Sequence, residues 1–133
     1  MSEINIAVLD IGKTNKKLFV YDTQLNCLNP EEKGIQFEPV LWQAPNGAEL
    51  ECDDMSAIGG WMLESLRKAQ EKYGDIGAVS ISAHGATIAL LGDKPDSNFD
   101  VAGGLAVPVI SYENDIPSEI DEAFYNDVGF TPH

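Results

Sequence analysis

Positive charge is what this chain has least of: eight Lys and Arg residues stand against 22 Asp and Glu in 133 residues, a formal net charge of −14. A field of that sign repels nucleic-acid phosphates and anionic lipid, so neither is expected as a partner. Cysteine is nearly absent. Cys27 and Cys52 stand alone, with no C-x-x-C spacing and no paired histidines, which argues against a disulfide framework and a structural zinc; two free thiols in a reducing cytosol are expected. No apolar run approaches the roughly 18 residues that a membrane helix needs. The opening MSEINIAVLD is interrupted by Asp10 too early to hold a signal peptide's apolar stretch. A soluble, cytoplasmic setting is therefore expected. Repeats, low-complexity tracts and linkers are also missing, so nothing divides the chain.

What is present suits one globular domain, with 44% hydrophobic residues. Ile4 to Leu9 and Lys17 to Tyr21 are apolar and rich in β-branched residues, and Gly12 breaks the run between them. Two strands joined by a tight turn are predicted, a hairpin over 4–22. A third strand is predicted at Ile35 to Trp42, with Pro39 favouring an edge or a bulge. Asp53 or Asp54 caps a helix over 53–73, in which Met55, Ile58, Met62, Leu66 and Ala69 or Gln70 recur at helical spacing, widened by Leu63, and Gly74 stops it. Gly59 and Gly60 weaken that helix by about 1 kcal/mol each unless a neighbour packs closely. Strands are predicted again at Ile76 to Ser82, Ala86 to Leu91 and Leu105 to Ser111, a loop at Asp93 to Gly104, and a short helix from Pro117 to Asn126. A hairpin followed by a helix that returns the chain to a parallel strand is an α/β arrangement, the opening of a ribonuclease-H-like sheet.

The stretch VLDIGKTNKK, from Val8 to Lys17, gathers three of the few cations beside one aspartate. Asp10 at a strand end can project past the sheet, and Gly12 lets the backbone turn so that N–H groups face an anion. Lys13, Thr14, Asn15 and Lys17 would offer an ammonium, a hydroxyl and an amide to polyphosphate oxygens. Asp10 would hold Mg²⁺ through water, since that ion prefers oxygen ligands and keeps several waters. A surface hairpin with a solvated charge run is the plain alternative.

Taken whole, IAVLDIGKTNKKLFVYD resembles the first phosphate motif of the superfamily of sugar kinases, heat-shock chaperones and actin, in particular of the FGGY carbohydrate kinases. Their usual form is D-x-G-T-T-S-x-R, then apolar residues and a further aspartate. Asp10, Gly12 and Thr14 match, Lys17 takes the arginine's place, Asp22 closes the hairpin, and Lys13 and Asn15 replace threonine and serine. VSISAHGATIALLG, from Val79 to Gly92, is similar to the family's strand, sugar-facing loop and returning strand. GLAVPVISYEND, from Gly104 to Asp115, is similar to the next strand, which ends in an aromatic residue followed by polar groups.

The resemblance implies ATP and Mg²⁺ as cofactors, bound by Asp10, Gly12, Lys13, Thr14, Asn15 and Lys17. It implies a sugar or polyol substrate met at the loops 82–87 and 111–116 by His84, Tyr112, Glu113, Asn114 and Asp115. A polyol needs donors and acceptors for its hydroxyls and an apolar wall for its C–H face, and those residues supply both. A turn histidine and a solvated acidic strand end are the plain alternatives. The family's usual arginine is missing after Tyr112.

The resemblance runs from Ile4 to about Pro132, whereas FGGY kinases are several hundred residues long with two domains around a cleft. It therefore implies the first part of the N-terminal kinase domain of an actin-like ATPase fold. The aspartate that deprotonates the sugar hydroxyl, the second phosphate motif and the adenosine-binding segments are expected downstream, and the rest of the kinase chain is the expected partner. No catalytic base is expected within these residues, and the polar GFTPH ending is expected to mark a truncation. The chain alone is expected to be inactive, and whether it forms a homodimer is left open. Another ATPase of the superfamily, or a noncatalytic binding domain keeping the sheet, is the alternative. A ribonuclease-H-type nuclease would need several carboxylates converging on two metals, which Asp10 alone does not supply. Glu119, Asp121 and Glu122 are read as a solvated helix face.

Overall fold

The computed structural model describes residues 4–85, 87–92, 104–115 and 117–129. The chain forms strands β1 (Asn5–Ile11), β2 (Lys16–Tyr21), β3 (Val40–Gln43) and β4 (Glu49–Asp53), helix α1 (Met55–Tyr73), strands β5 (Ile76–Ala83) and β6 (Val109–Ile110), and helix α2 (Ser118–Val128). They make two small sheets, ordered β2-β1-β5 and β3-β4-β6.

β1 and β2 pair antiparallel from Ile6 opposite Tyr21 to Ile11 opposite Lys16, and β5 lies parallel on the other side of β1. The parallel neighbour requires a crossover, which α1 supplies. Alternation in β1 and β2 turns Ala7, Leu9, Leu18 and Val20 to one face, where they are buried against Ala69, with Trp61, Met62, Leu66 and Tyr73 of α1 packed around them. The predicted helical stripe is the inner face except at its margins, since Leu63 and Gln70 are exposed.

Asp54, not Asp53, caps α1, its carboxylate accepting the Ala57 N–H at 2.9 Å. At the other end Gly74 has φ +86°, a backbone shape that a side chain would strain. That bend lets Asn5, the first residue of β1, donate from Nδ2 to the Tyr73 carbonyl at 2.6 Å and from its backbone to the Asp75 carbonyl at 2.8 Å. Outside the core, Arg67 pairs with Glu64 and Glu71 on the exposed face of α1, and the guanidinium holds the Glu64 carboxyl down to about 2. Pairs so exposed add little to stability.

Several predicted elements differ. The strand foreseen from Ile35 starts only at Val40, after Pro39, and belongs to the second sheet; Ile35 makes an isolated bridge to Lys16. β4 was absent from the prediction because its charged residues hide its alternation: Glu49 and Glu51 face out while Cys52 is fully buried. Burial, aided by the charge of Asp53, pushes the Cys52 thiol up from its ordinary value. Both cysteines are free. Of the strand foreseen over Ala86 to Leu91, Ala86 lies outside the described residues and Leu91 makes only an isolated bridge to Leu105. The last strand shrinks to Val109–Ile110, and the last helix starts after Pro117 and extends to Val128. The loop foreseen over Asp93 to Gly104 lies outside the described residues except for Gly104. Glu119 and Glu122 are exposed on α2, and the side chain of Asp121 is outside the described set.

Candidate functional site

The hairpin tip is built around Gly12. Its N–H donates to the Asn15 carbonyl at 3.0 Å, and a Cβ there would sit 2.8 Å from that same oxygen, so only glycine closes this turn without displacing backbone. The Gly12 N–H is thereby used inside the hairpin instead of facing an anion. Among the described residues no hydrogen bond takes up the N–H groups of Lys13, Thr14 or Asn15, which leaves three amides at the tip. Thr14 and Asn15 are exposed, and Asn15 Oδ1 accepts from Gln36 Nε2 at 3.3 Å.

Strand alternation divides the clustered cations. Asp10 lies directly across from Lys17, so the two share the face opposite the α1-covered core. Asp10 is half-buried, and among the described residues no hydrogen bond or ion pair engages its carboxylate. Lys13 and Lys16 turn the other way. Lys16 is only 4% exposed and donates from Nζ to the Lys13 carbonyl at 2.7 Å, which braces the turn from beneath. Burial pushes its ammonium pKa down, Asp53 pulls it partly back, and Lys13 lowers it further.

The Lys13 ammonium reaches the second sheet and the turn that follows β6. It donates to Ser111 Oγ at 2.8 Å, lies 3.7 Å from both Asp53 and Glu113, and sits 5.1 Å from the centre of the Tyr112 ring. The His84 ring lies 5.9 Å from that of Tyr112. His84 Nδ1 faces the Ile11 carbonyl at 3.1 Å and Nε2 faces Thr87 Oγ1 at 2.7 Å. A carbonyl can only accept, so Nδ1 carries a proton, and Nε2 shares a hydrogen bond with the threonine hydroxyl.

Thus Lys13, His84, Tyr112 and Glu113 come together, while Asp10 and Lys17 stand on the opposite face of the hairpin. Asp115 is exposed. Asn114 is committed to the fold: its Oδ1 accepts the Glu51 N–H at 2.8 Å, and its Nδ2 donates to the carbonyls of Glu51 at 2.8 Å and Ser111 at 2.7 Å. With both donors and the acceptor occupied, the amide has little capacity left for a sugar hydroxyl. Asn114→Ala is expected to lose about 1–2 kcal/mol and to speed amide exchange at Glu51, measured by hydrogen–deuterium exchange; unchanged protection there would contradict this role.

Two cavities flank Lys16 and Asp53. One of about 210 Å³ opens beneath the hairpin tip, bordered by Lys13, Thr14, Asp53 and Glu113. The other, about 160 Å³ and mostly apolar, has Ile11, His84, Thr87 and Val109 in its wall. Asp53 and Ser111 were missing from the predicted site. Asp53 read as a cap beside an identical neighbour, and the strand that carries it, β4, was hidden by its glutamates. Buried Ser111 carried no signal of its own.

No protein-family profile matches the chain, and no curated protein matches it in sequence. Its fold is similar to that of solved kinases. A carbohydrate kinase from Novosphingobium aromaticivorans superposes with a TM-score of 0.67 and 23% identity, over 95% of this chain and 23% of that one. A gluconate kinase from Lactobacillus acidophilus superposes with a TM-score of 0.63 and 21% identity, over 97% of this chain and 23% of that one. At such identities the likeness shows a shared fold, an α/β unit spanning less than a quarter of those proteins. No described helix is long and apolar enough to cross a membrane.

Proposed function

We propose that this chain is the opening part of an ATP-dependent carbohydrate kinase of the FGGY type, which transfers the γ-phosphoryl group of ATP to a hydroxyl of a sugar or polyol. The observation that carries the reading is the contact of Lys13, at the tip of a glycine-closed hairpin, with Ser111, Tyr112 and Glu113. It joins a phosphate-type turn to an aromatic and acidic surface suited to a polyol. The fold shared with two carbohydrate-phosphorylating proteins supports it.

The hairpin fits a polyphosphate tail in the chemistry of its donors, with three open amides, the Thr14 hydroxyl and Lys17 at or beside the tip. Asp10 fits Mg²⁺ as one unengaged carboxylate at a strand end. That ion takes one or two carboxylates with phosphate and water, and no group of three or more potential ligands occurs among the described residues. When bound, Mg²⁺ supplies neutralisation of phosphate charge. The chain's own residues orient and bind: Tyr112 offers a face to sugar C–H groups, Glu113 accepts hydroxyl protons in hydrogen bonds, and the His84–Thr87 pair fixes the loop beside them.

The base that deprotonates the acceptor is assigned to the rest of the kinase chain. β5 ends its sheet with Val79 and Ile81 more than half or about half exposed, an apolar edge suited to such a continuation. In the full polypeptide with ATP and Mg²⁺, a panel of ketoses and polyols is expected to yield a phosphorylated sugar, followed by mass spectrometry. ATP hydrolysis that no sugar stimulates would instead favour an activator ATPase.

A further inference from the structure

The cavity beneath the hairpin tip, which adjoins the Tyr112 surface through Lys13 and Glu113, bears on the charge of the acceptor. Its volume of about 210 Å³ is below the roughly 300 Å³ at which pockets for drug-sized ligands begin, so a small polar ligand suits it. Among the described residues, five acidic residues border it, Glu38, Glu51, Asp53, Asp54 and Glu113, against Lys13 and Lys16, with the Asp54 carboxylate also capping α1. The charge of each cation is already partly offset or screened from the cavity. Lys13 is held by Ser111 with Asp53 and Glu113 beside it, and Lys16 is buried and bonded to the Lys13 carbonyl.

We infer that this cavity takes an uncharged sugar or polyol and rejects sugar acids, and that Lys13 and Glu113 are the residues that set this discrimination. The inference rests on the kinase reading above and narrows its substrate class. An uncharged polyol has hydroxyls to donate to carboxylates that only accept. A sugar acid brings a like charge among five acidic residues that two lysines do not balance. Gluconate kinase activity belongs to one protein of similar fold, but the charge balance in this cavity opposes an aldonate.

The test uses the full polypeptide and matched alditol and aldonate pairs of xylo, arabino, gluco and galacto configuration, which differ at C1 as hydroxymethyl against carboxylate. Calorimetric titration at low salt is expected to show at least one alditol binding about ten-fold or more tightly than its aldonate. The ratio should shrink as salt is added. Glu113→Gln should narrow the gap several-fold, and Lys13→Met should widen it, whereas a merely structural role would weaken both members of a pair alike. An aldonate that binds as tightly as its alditol, or a ratio unmoved by Glu113→Gln, overturns the inference and leaves the kinase reading standing. If no member of any pair binds while ATP with Mg²⁺ does, the sugar-kinase reading fails and the inference falls with it.

Discussion

Asp10→Ala is expected to cut phosphoryl transfer by the full polypeptide about 100-fold or more while leaving the fold intact. Phosphoryl transfer depends on positioning and on neutralising charge on the transferred group, so a carboxylate that fixes a cation beside the phosphates acts mainly on turnover. Asp10 suits such a role because its carboxylate has no protein partner to lose among the described residues, and because it stands on the sheet face away from the core. Its removal leaves Lys17 across the ladder without an opposing charge, a change at a partly exposed position whose cost is under about 1 kcal/mol. Turnover measured beside a thermal melt separates the two effects. Unchanged activity would remove the metal role, and a collapsed melt would recast Asp10 as a structural residue.

How much of this was legible in the sequence depends on which constraint acts. The hairpin and α1 were readable because burial on one face imposes a period, which Ala7, Leu9, Leu18 and Val20 keep, and β5 because its apolar and β-branched residues alternate although it is exposed. Of the second sheet, β3 and β6 lay inside longer predicted strands but β4 was missed, because it is short and carries two outward glutamates, and its pairing is set by partners distant in sequence, such as Ile110 opposite Cys52. Within the site, the residue types around the hairpin were visible but their sides were not. Gly12, Lys13 and Lys17 look equivalent as neighbours in a string, yet the turn closed by Gly12 and the alternation after it send Lys13 and Lys17 to opposite faces. The use of Asn114 as a bracket on the backbone of Glu51 depends on a contact 63 residues away, which no local pattern announces.

Leu9→Ala is expected to destabilise the domain by about 3 kcal/mol, within the range of about 2–5 measured for large-to-small changes at well-packed sites. Leu9 is fully buried at the centre of β1, between the hairpin partner β2 and the parallel strand β5, opposite Leu18 on one side and Ile81 on the other. Its side chain is enclosed by the hairpin and α1, so the cavity left behind has rigid walls on the sheet side and can collapse only by shifting the helix. Small domains hold roughly 5–15 kcal/mol in total, and this one presents an apolar edge at β5, so the loss is a large share of its margin. The contrast with Val79 or Ile81 is the sharper check. Both are apolar strand residues, but each is at least half exposed here, so alanine at either should cost this chain under about 1 kcal/mol. In urea titrations Leu9→Ala should lower the midpoint far more than Ile81→Ala. Equal losses at the two positions would mean that the β5 face is covered in solution, and that its apparent exposure is not a property of the folded chain. Should Ile81→Ala become the costlier change only in the full polypeptide, the covering element would lie in the remainder of that polypeptide, which is where the kinase reading assigns it.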